Sequence, residues 1–352
     1  MKNGFVTVLV LIVLAMALLA LPGCTAKEKP DADFSVLVYV TGVTAGSPTY
    51  EMLAEGAREF AAENAGVTVR VYEAGFNQAE WEEQLMSLVA EGSYDVIVGS
   101  NPSLPEICAN VAQSFPDQKF LVTDAFYEGS PAISTWLYNQ YEQSLYLGYL
   151  AGLITVSNTR SETIGALPHA NSAKKIGFIA AQEYPLLNRH MVPGFLDGAR
   201  RVDPEITLDF RVIGNWYDAN KAADLAASMI GSGVDVFTSI AGGAAQGLIR
   251  SIRENGAYAV FYNTDEYAQA PGRIIGCGSM EQKKLVKEIL DDARLGKISY
   301  GTAHIVGAQD GYLDFIDAAG YRDFVPDTIQ RQFDAFMDDV RAGRILYTLP
   351  AL

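Results

Sequence analysis

Residues 34–56 read FSVLVYVTGVTAGSPTYEMLAEG. An apolar, β-rich run (34–40) enters a turn of small residues and then a helical stretch. A strand that runs into a Gly-rich turn and a helix points that turn at something. The turn holds no Lys and no Arg, and the only charges, Glu51 and Glu55, lie in the helix that follows. The same unit recurs along the chain. VTVRVYEA (67–74) leads to a helix over 78–91 with Trp81, Leu85 and Leu88 on one face. YDVIVGS (94–100) leads to a helix over 104–114, and KFLVTDAF (119–126) precedes a long one over 140–156. The series restarts at KKIGFIAA (174–181), followed by a helix over 191–202. It continues with TLDFRVI, VDVFTSI, YAVFYNT and GRIIGCGS, with helices over 220–231, 245–255 and 282–295. Short strands separated by helices of ten or more residues imply βαβ units and parallel sheets. Two such series predict an α/β chain of two doubly wound, Rossmann-like lobes, without a residue-level repeat. Ligands of such folds sit at the carboxyl ends of the strands, so two facing lobes would line a central cleft.

The chain of 352 residues carries a formal net charge of -16, dispersed along its length. So acidic a surface repels phosphate backbones, and nucleic acid is not an expected partner. The amino terminus differs from the rest. Lys2, the apolar run FVTVLVLIVLAMALLAL and then PGC have the layout of a secretory signal over 1–23. Leu21 to Cys24 resembles a bacterial lipobox, with Pro22 unusual in it. The resemblance implies diacylated Cys24 as the first mature residue and 24–33 as a polar tether. The expected location is the bacterial cell membrane, lipid-anchored and facing the periplasm or exterior. Cys108 and Cys277 lack metal-ligand spacing, and His169, His190 and His304 are scattered, so no metal is expected. Buried free thiols are the expectation for the two cysteines, with a disulfide between them the alternative.

Catalytic signals are missing: no GxxxxGK[ST], no GxSxG, no GxGxxG with an acidic partner. What stands out is a set of strand ends bearing small or polar residues. They are Thr41 and Gly42; Gly99 to Pro102, with Ser100 and Asn101; Thr123 and Asp124; Ala241 to Gly243, with Gly242; and Asn263 to Asp265. Turn chemistry alone favours these residue types. Together at one cleft lip, Gly would let backbone N–H groups reach a ligand and Asn or Asp would meet its hydroxyls. Tyr50 and Trp216 add aromatic faces there, although core packing is the usual place for either.

Several longer matches carry a family resemblance. They are PDQKFLVTD (116–124), EQS (142–144), GYLAG (148–152), KIGFI (175–179), PGFLDGA (193–199), DVF (235–237), AGG (241–243) and AGRI (342–345). In these the chain resembles the basic-membrane-protein lipoproteins over nearly its whole length after Cys24. The resemblance implies a type I periplasmic binding fold: lobes over 34–160, with part of the C-terminal tail crossing back, and 161–352. It also implies one ligand in the cleft, no reaction catalysed, no cofactor, a monomer, and an ABC permease and ATPase as partners. Such proteins commonly bind purine nucleosides. Here TGVTAGSPTY (41–50) lacks the Asp usual in their first loop, and Tyr50 falls roughly at the Asn that ends that loop's Ser-Phe-Asn, adding an aromatic ring. The aromatic expected to stack on a base is Trp216. The late Lys is absent: after Ser279 the chain reads MEQ, which makes Gln282 an expected contact. Asp124 and Asp265 remain. These departures resemble the riboflavin-binding lipoproteins of spirochaete importers, and riboflavin is the expected ligand. A nucleoside is the alternative, and service as a ligand sensor is a further one.

Overall fold

The structure, a computed structural model, describes residues 33–92, 94–160, 162 and 165–351. The signal, Cys24 and all of the tether before Asp33 lie outside the described residues. The first lobe begins with β1 (Phe34–Val40), α1 (Pro48–Glu63), β2 (Val67–Glu73), α2 (Gln78–Glu91), β3 (Val96–Ser100), α3 (Leu104–Ser114), β4 (Phe120–Thr123) and β5 (Ile133–Tyr138). The second holds α4 (Gln140–Thr155), β6 (Lys175–Ala180), α5 (Val192–Val202), β7 (Thr207–Val212), α6 (Ala219–Gly231), β8 (Val234–Ile240), α7 (Ala245–Asn255), β9 (Tyr258–Phe261) and β10 (Ile274–Met280). Then α8 (Gln282–Arg294) and β11 (Ala303–Val306) return to the first lobe. β12 (Leu313–Phe315), α9 (Ala319–Arg322) and α10 (Asp327–Arg341) finish in the second.

Each sheet has six strands. The first is ordered β2-β1-β3-β4-β5-β11 and the second β7-β6-β8-β9-β10-β12. The two orders are the same through five strands, so the duplication absent from the residues is present in the topology. All the ladders are parallel except β10 with β12. Parallel strands covered on both faces need apolar side chains on both. In β1, Val36, Val38 and Val40 enter one core and Leu37 and Tyr39 the other. Edge strand β2 has no fully buried residue.

The expected boundary at residue 160 is corrected. The first crossing between lobes is at Asn139, because α4 is buried nearly all round among second-lobe strands and helices. Its partner is α5, and glycines set their closeness. A Cβ on Gly148 or Gly198 would collide with the carbonyl of Phe195 or Leu145 respectively, and one on Gly194 would sit 2.6 Å from the Tyr141 carbonyl. The segment returning to the first lobe is 282–306, not the C-terminal tail. Leu285, Val286, Ile289 and Leu290 of α8 complete a first-lobe core.

The three crossings lie side by side. The Asn139 N–H donates to the Val306 carbonyl at 2.8 Å, and the Glu281 N–H to the Tyr312 carbonyl at 2.9 Å. Glu142 Oε2 accepts the Ala308 N–H at 2.7 Å, and Oε1 the Tyr347 hydroxyl at 3.0 Å. The Asn139 amide donates to the same hydroxyl at 2.7 Å. The last residues are thus strapped over the hinge. Among the described residues no helix is long and apolar enough to cross a membrane.

Candidate functional site

In each sheet the strand order reverses between the first and third strands in sequence, and the crevice outside those carboxyl ends is where such sheets take ligands. Thr41 and Gly42 follow β1, and Ser100 ends β3 with Asn101 next to it. In the second lobe, Ala181 and Gln182 follow β6, and Ala241 to Gly243 follow β8.

Thr41 is buried, and its Oγ1 is 2.9 Å from the Tyr50 hydroxyl, which donates to the Thr41 carbonyl at 3.1 Å. These bonds fix a half-buried ring beside Gly42. A Cβ on Gly42 would fall 2.9 Å from Tyr50 Cε2, so the ring needs a glycine there. Asn101 Oδ1 accepts the Ser103 N–H at 2.8 Å and shapes the turn into α3.

Gln282 requires a correction. It has no accessible surface, so in this conformation it is not a ligand contact. Its Oε1 lies 3.3 Å from the hydroxyls of Ser100, Thr123 and Tyr138, and its Nε2 donates to the Thr49 carbonyl at 2.7 Å. It ties α8 to α1 and to the ends of β3, β4 and β5. Ser100, at 2 % exposed, belongs to this hub rather than to an open surface.

Asp124 follows β4 with φ 54°, a left-handed conformation that Asp tolerates better than most residues. Gln140 donates to its Oδ1 at 3.2 Å. Burial pushes its carboxyl up to about 7. Its charge reaches Tyr184, which follows β6 in the opposite lobe; burial first, and then this charge, raise that phenol. The Gln140 bond joins Asp124 of the first lobe to the start of α4.

In the second lobe Trp216 is 42 % exposed, and its Nε1–H donates to Gln182 Oε1 at 3.2 Å. Its Cε3 would lie 3.4 Å from a Cβ on Gly242, which adopts φ 52°. The indole from the β7 loop thus lies across the ends of β6 and β8. Asp265, exposed after β9, accepts the Tyr267 N–H at 3.0 Å.

The structure thus brings together Thr41, Gly42 and Tyr50; Ser100 with Gln282; and Trp216 with Gly242. Sequence reasoning missed Gln140, Tyr184, Gln182 and Phe76, which each follow a strand end; an aromatic within four residues of such an end was the available signal for Phe76 and Tyr184. Two surface grooves lie elsewhere, one between α1 and α8 around Glu63 and Lys287, the other beneath Tyr347. Among the described residues no cluster of His, Cys, Asp or Glu could hold a metal ion. Cys108 and Cys277 are free thiols in different cores.

Residues 34–336 match the family described as ABC transporter substrate-binding protein, PnrA-like. A relative in Lactococcus lactis subsp. cremoris, the ABC transporter nucleoside-binding protein BmpA, is 24% identical over 311 residues, 83% of each chain. An ABC-transporter solute-binding protein from Aeropyrum pernix K1 superposes with a TM-score of 0.71 at 21% identity, covering 90% of this chain and 94% of that one. A transcriptional activator of the comK gene from Bacillus halodurans superposes with a TM-score of 0.70 at 21% identity, covering 89% and 100%. Such likenesses carry the fold, and the fold serves more than one purpose.

Proposed function

The chain belongs to the PnrA-like family of ABC-transporter substrate-binding proteins, and we propose that the solute it carries is riboflavin. Proteins of this family hold a transported ligand and use no cofactor; the permease and its ATPase are the partners. The observation that carries the flavin reading is the Trp216 indole, exposed over Gly242 and held by Gln182. With Tyr50 on the opposite lobe it offers faces for a broad, flat ring. Offset stacking adds roughly 0.5–1.5 kcal/mol per aromatic pair beyond area burial. Asp124, Asn101 and Asp265 supply groups for ribityl hydroxyls. A carboxyl that titrates near 7 both accepts and donates hydrogen bonds at neutral pH. None of the residues gathered at these strand ends is cationic, which disfavours a phosphorylated flavin.

Titration calorimetry tests this. Riboflavin should bind more tightly than adenosine, guanosine or inosine, with its fluorescence quenched. Trp216→Ala should weaken it by about ten- to a hundredfold, as when a buried aromatic anchor is truncated, while circular dichroism and the thermal melt stay native. A purine nucleoside is the second reading, favoured by the printed function of the Lactococcus relative. Submicromolar nucleoside binding with no heat from riboflavin would put it first. Anchoring through diacylated Cys24 belongs to the same proposal. Cys24→Ser should remain unlabelled by radioactive palmitate, and undiminished label would end that part.

A further inference from the structure

Phe76 is 76 % exposed, and yet the turn that carries it is held in place. A single exposed Phe needs no special explanation; this one has a position that does. The turn after β2 is zipped to the turn after β1: the Ala74 N–H donates to the Val40 carbonyl at 2.8 Å and the Gly75 N–H to the Gly42 carbonyl at 3.0 Å. The Trp81 indole N–H donates to the Gly75 carbonyl at 2.9 Å, and Gly75 turns the chain at φ 70°. Phe76 is therefore presented by a braced turn. Its ring carbon Cε1 comes within 3.4 Å of where a Cβ on Gly42 would be, on the same spot that Tyr50 Cε2 crowds at 2.9 Å.

We propose that Phe76 contacts the ligand from the first lobe, forming with Tyr50 an aromatic corner that Gly42 keeps open. The inference rests on the reading of the cleft as a site for a flat-ringed solute. The corner stands at the point where the strand order of the first sheet reverses, the crevice where sheets of this kind take ligands. Tyr50 is pinned by both bonds of its hydroxyl, so its ring cannot swing to meet solutes of different shape. The Phe76 side chain carries no hydrogen-bonding group and projects into solvent. It is the part of the corner free to close on a ring, and the part through which the first lobe would choose between ring sizes.

The test is calorimetry of Phe76→Ala and Phe76→Trp against riboflavin, adenosine, guanosine and inosine. For whichever compound the wild type binds most tightly, Phe76→Ala should raise Kd about tenfold, the loss expected for an aromatic anchor at a binding surface. Phe76→Trp should keep binding and shift preference toward the smaller ring. The melting temperature of the free protein should not move, because the side chain is largely in solvent already. Riboflavin bound equally by wild type and Phe76→Ala, within about twofold, overturns the role of Phe76 and leaves the flavin reading standing. A nucleoside bound by the wild type and weakened by Phe76→Ala supports Phe76 and removes riboflavin. Binding of none of the four by the wild type overturns both.

Discussion

Replacing Gln282 by Leu puts an apolar side chain of similar size in its place and removes the amide. In the native protein that amide is completely buried, with Ser100, Thr123 and Tyr138 hydroxyls 3.3 Å from Oε1. Thr123 has a second acceptor, the Gly99 carbonyl at 3.4 Å, and its hydroxyl rotates to it. Ser100 and Tyr138 have no such alternative among the described hydrogen bonds, and both are buried. A buried hydroxyl left without a partner costs roughly 1–3 kcal/mol, so two cost about 2–6. Removing the buried amide recovers part of this, and the expected net loss is about 3 kcal/mol. Urea unfolding followed by circular dichroism and by tryptophan fluorescence measures it, provided the two transitions coincide. The triple variant Gln282→Leu, Ser100→Ala, Tyr138→Phe removes the stranded hydroxyls along with the amide and should regain most of the loss. A single-variant loss below about 1 kcal/mol, the value of an ordinary net hydrogen bond, would refute the hub. So would a triple variant no more stable than the single one.

Asp124 gives a pH signature. Its carboxyl is raised to about 7 in the folded chain by burial and has its ordinary value of 3.8 unfolded. The folded state therefore holds the proton more strongly, and this group's contribution falls as pH rises from about 4 to about 7, then levels. Asp124→Asn should gain on the wild type over that interval in urea unfolding at successive pH values; parallel stability curves would contradict it. The Tyr347 hydroxyl joins Asn139 and Glu142 at the crossings. Tyr347→Phe leaves the Asn139 amide without that acceptor and Glu142 Oε1 without that donor. It should lower unfolding free energy by about 1–3 kcal/mol, read from a thermal melt. An unchanged melt would mean that the tail rests on the hinge without holding it.

Much of the fold was legible because its signals are local. A run such as 34–40 is apolar on both faces apart from Ser35, as a covered parallel strand must be. The helices over 78–91, 104–114 and 245–255 fall where the spacing of apolar residues puts them. The sequence also marked the strand ends at Thr41, Asp124 and Gly242, and an aromatic, Trp216, that lies over Gly242. β11 was not legible: its four residues, AHIV, sit on a sheet edge with His304 and Ile305 exposed, and no alternation marks them.

What the chain alone determined is the succession of strands and helices, hence an α/β chain with a cleft at strand ends. Only the tertiary structure decided which lobe each element joins and which polar residues face solvent. The apolar stripe of α8 demands a partner but is satisfied equally by any complementary surface; packing against Phe60, Leu53 and Ala57 of α1 selects the first lobe. Gln282 next to a strand end reads the same whether it meets a ligand or the hydroxyls of Ser100 and Tyr138. Those groups lie 182 and 144 positions away in sequence. Periodicity reports neighbours within a few turns, while burial of a polar group is fixed by donors and acceptors that only the folded chain brings within hydrogen-bonding distance.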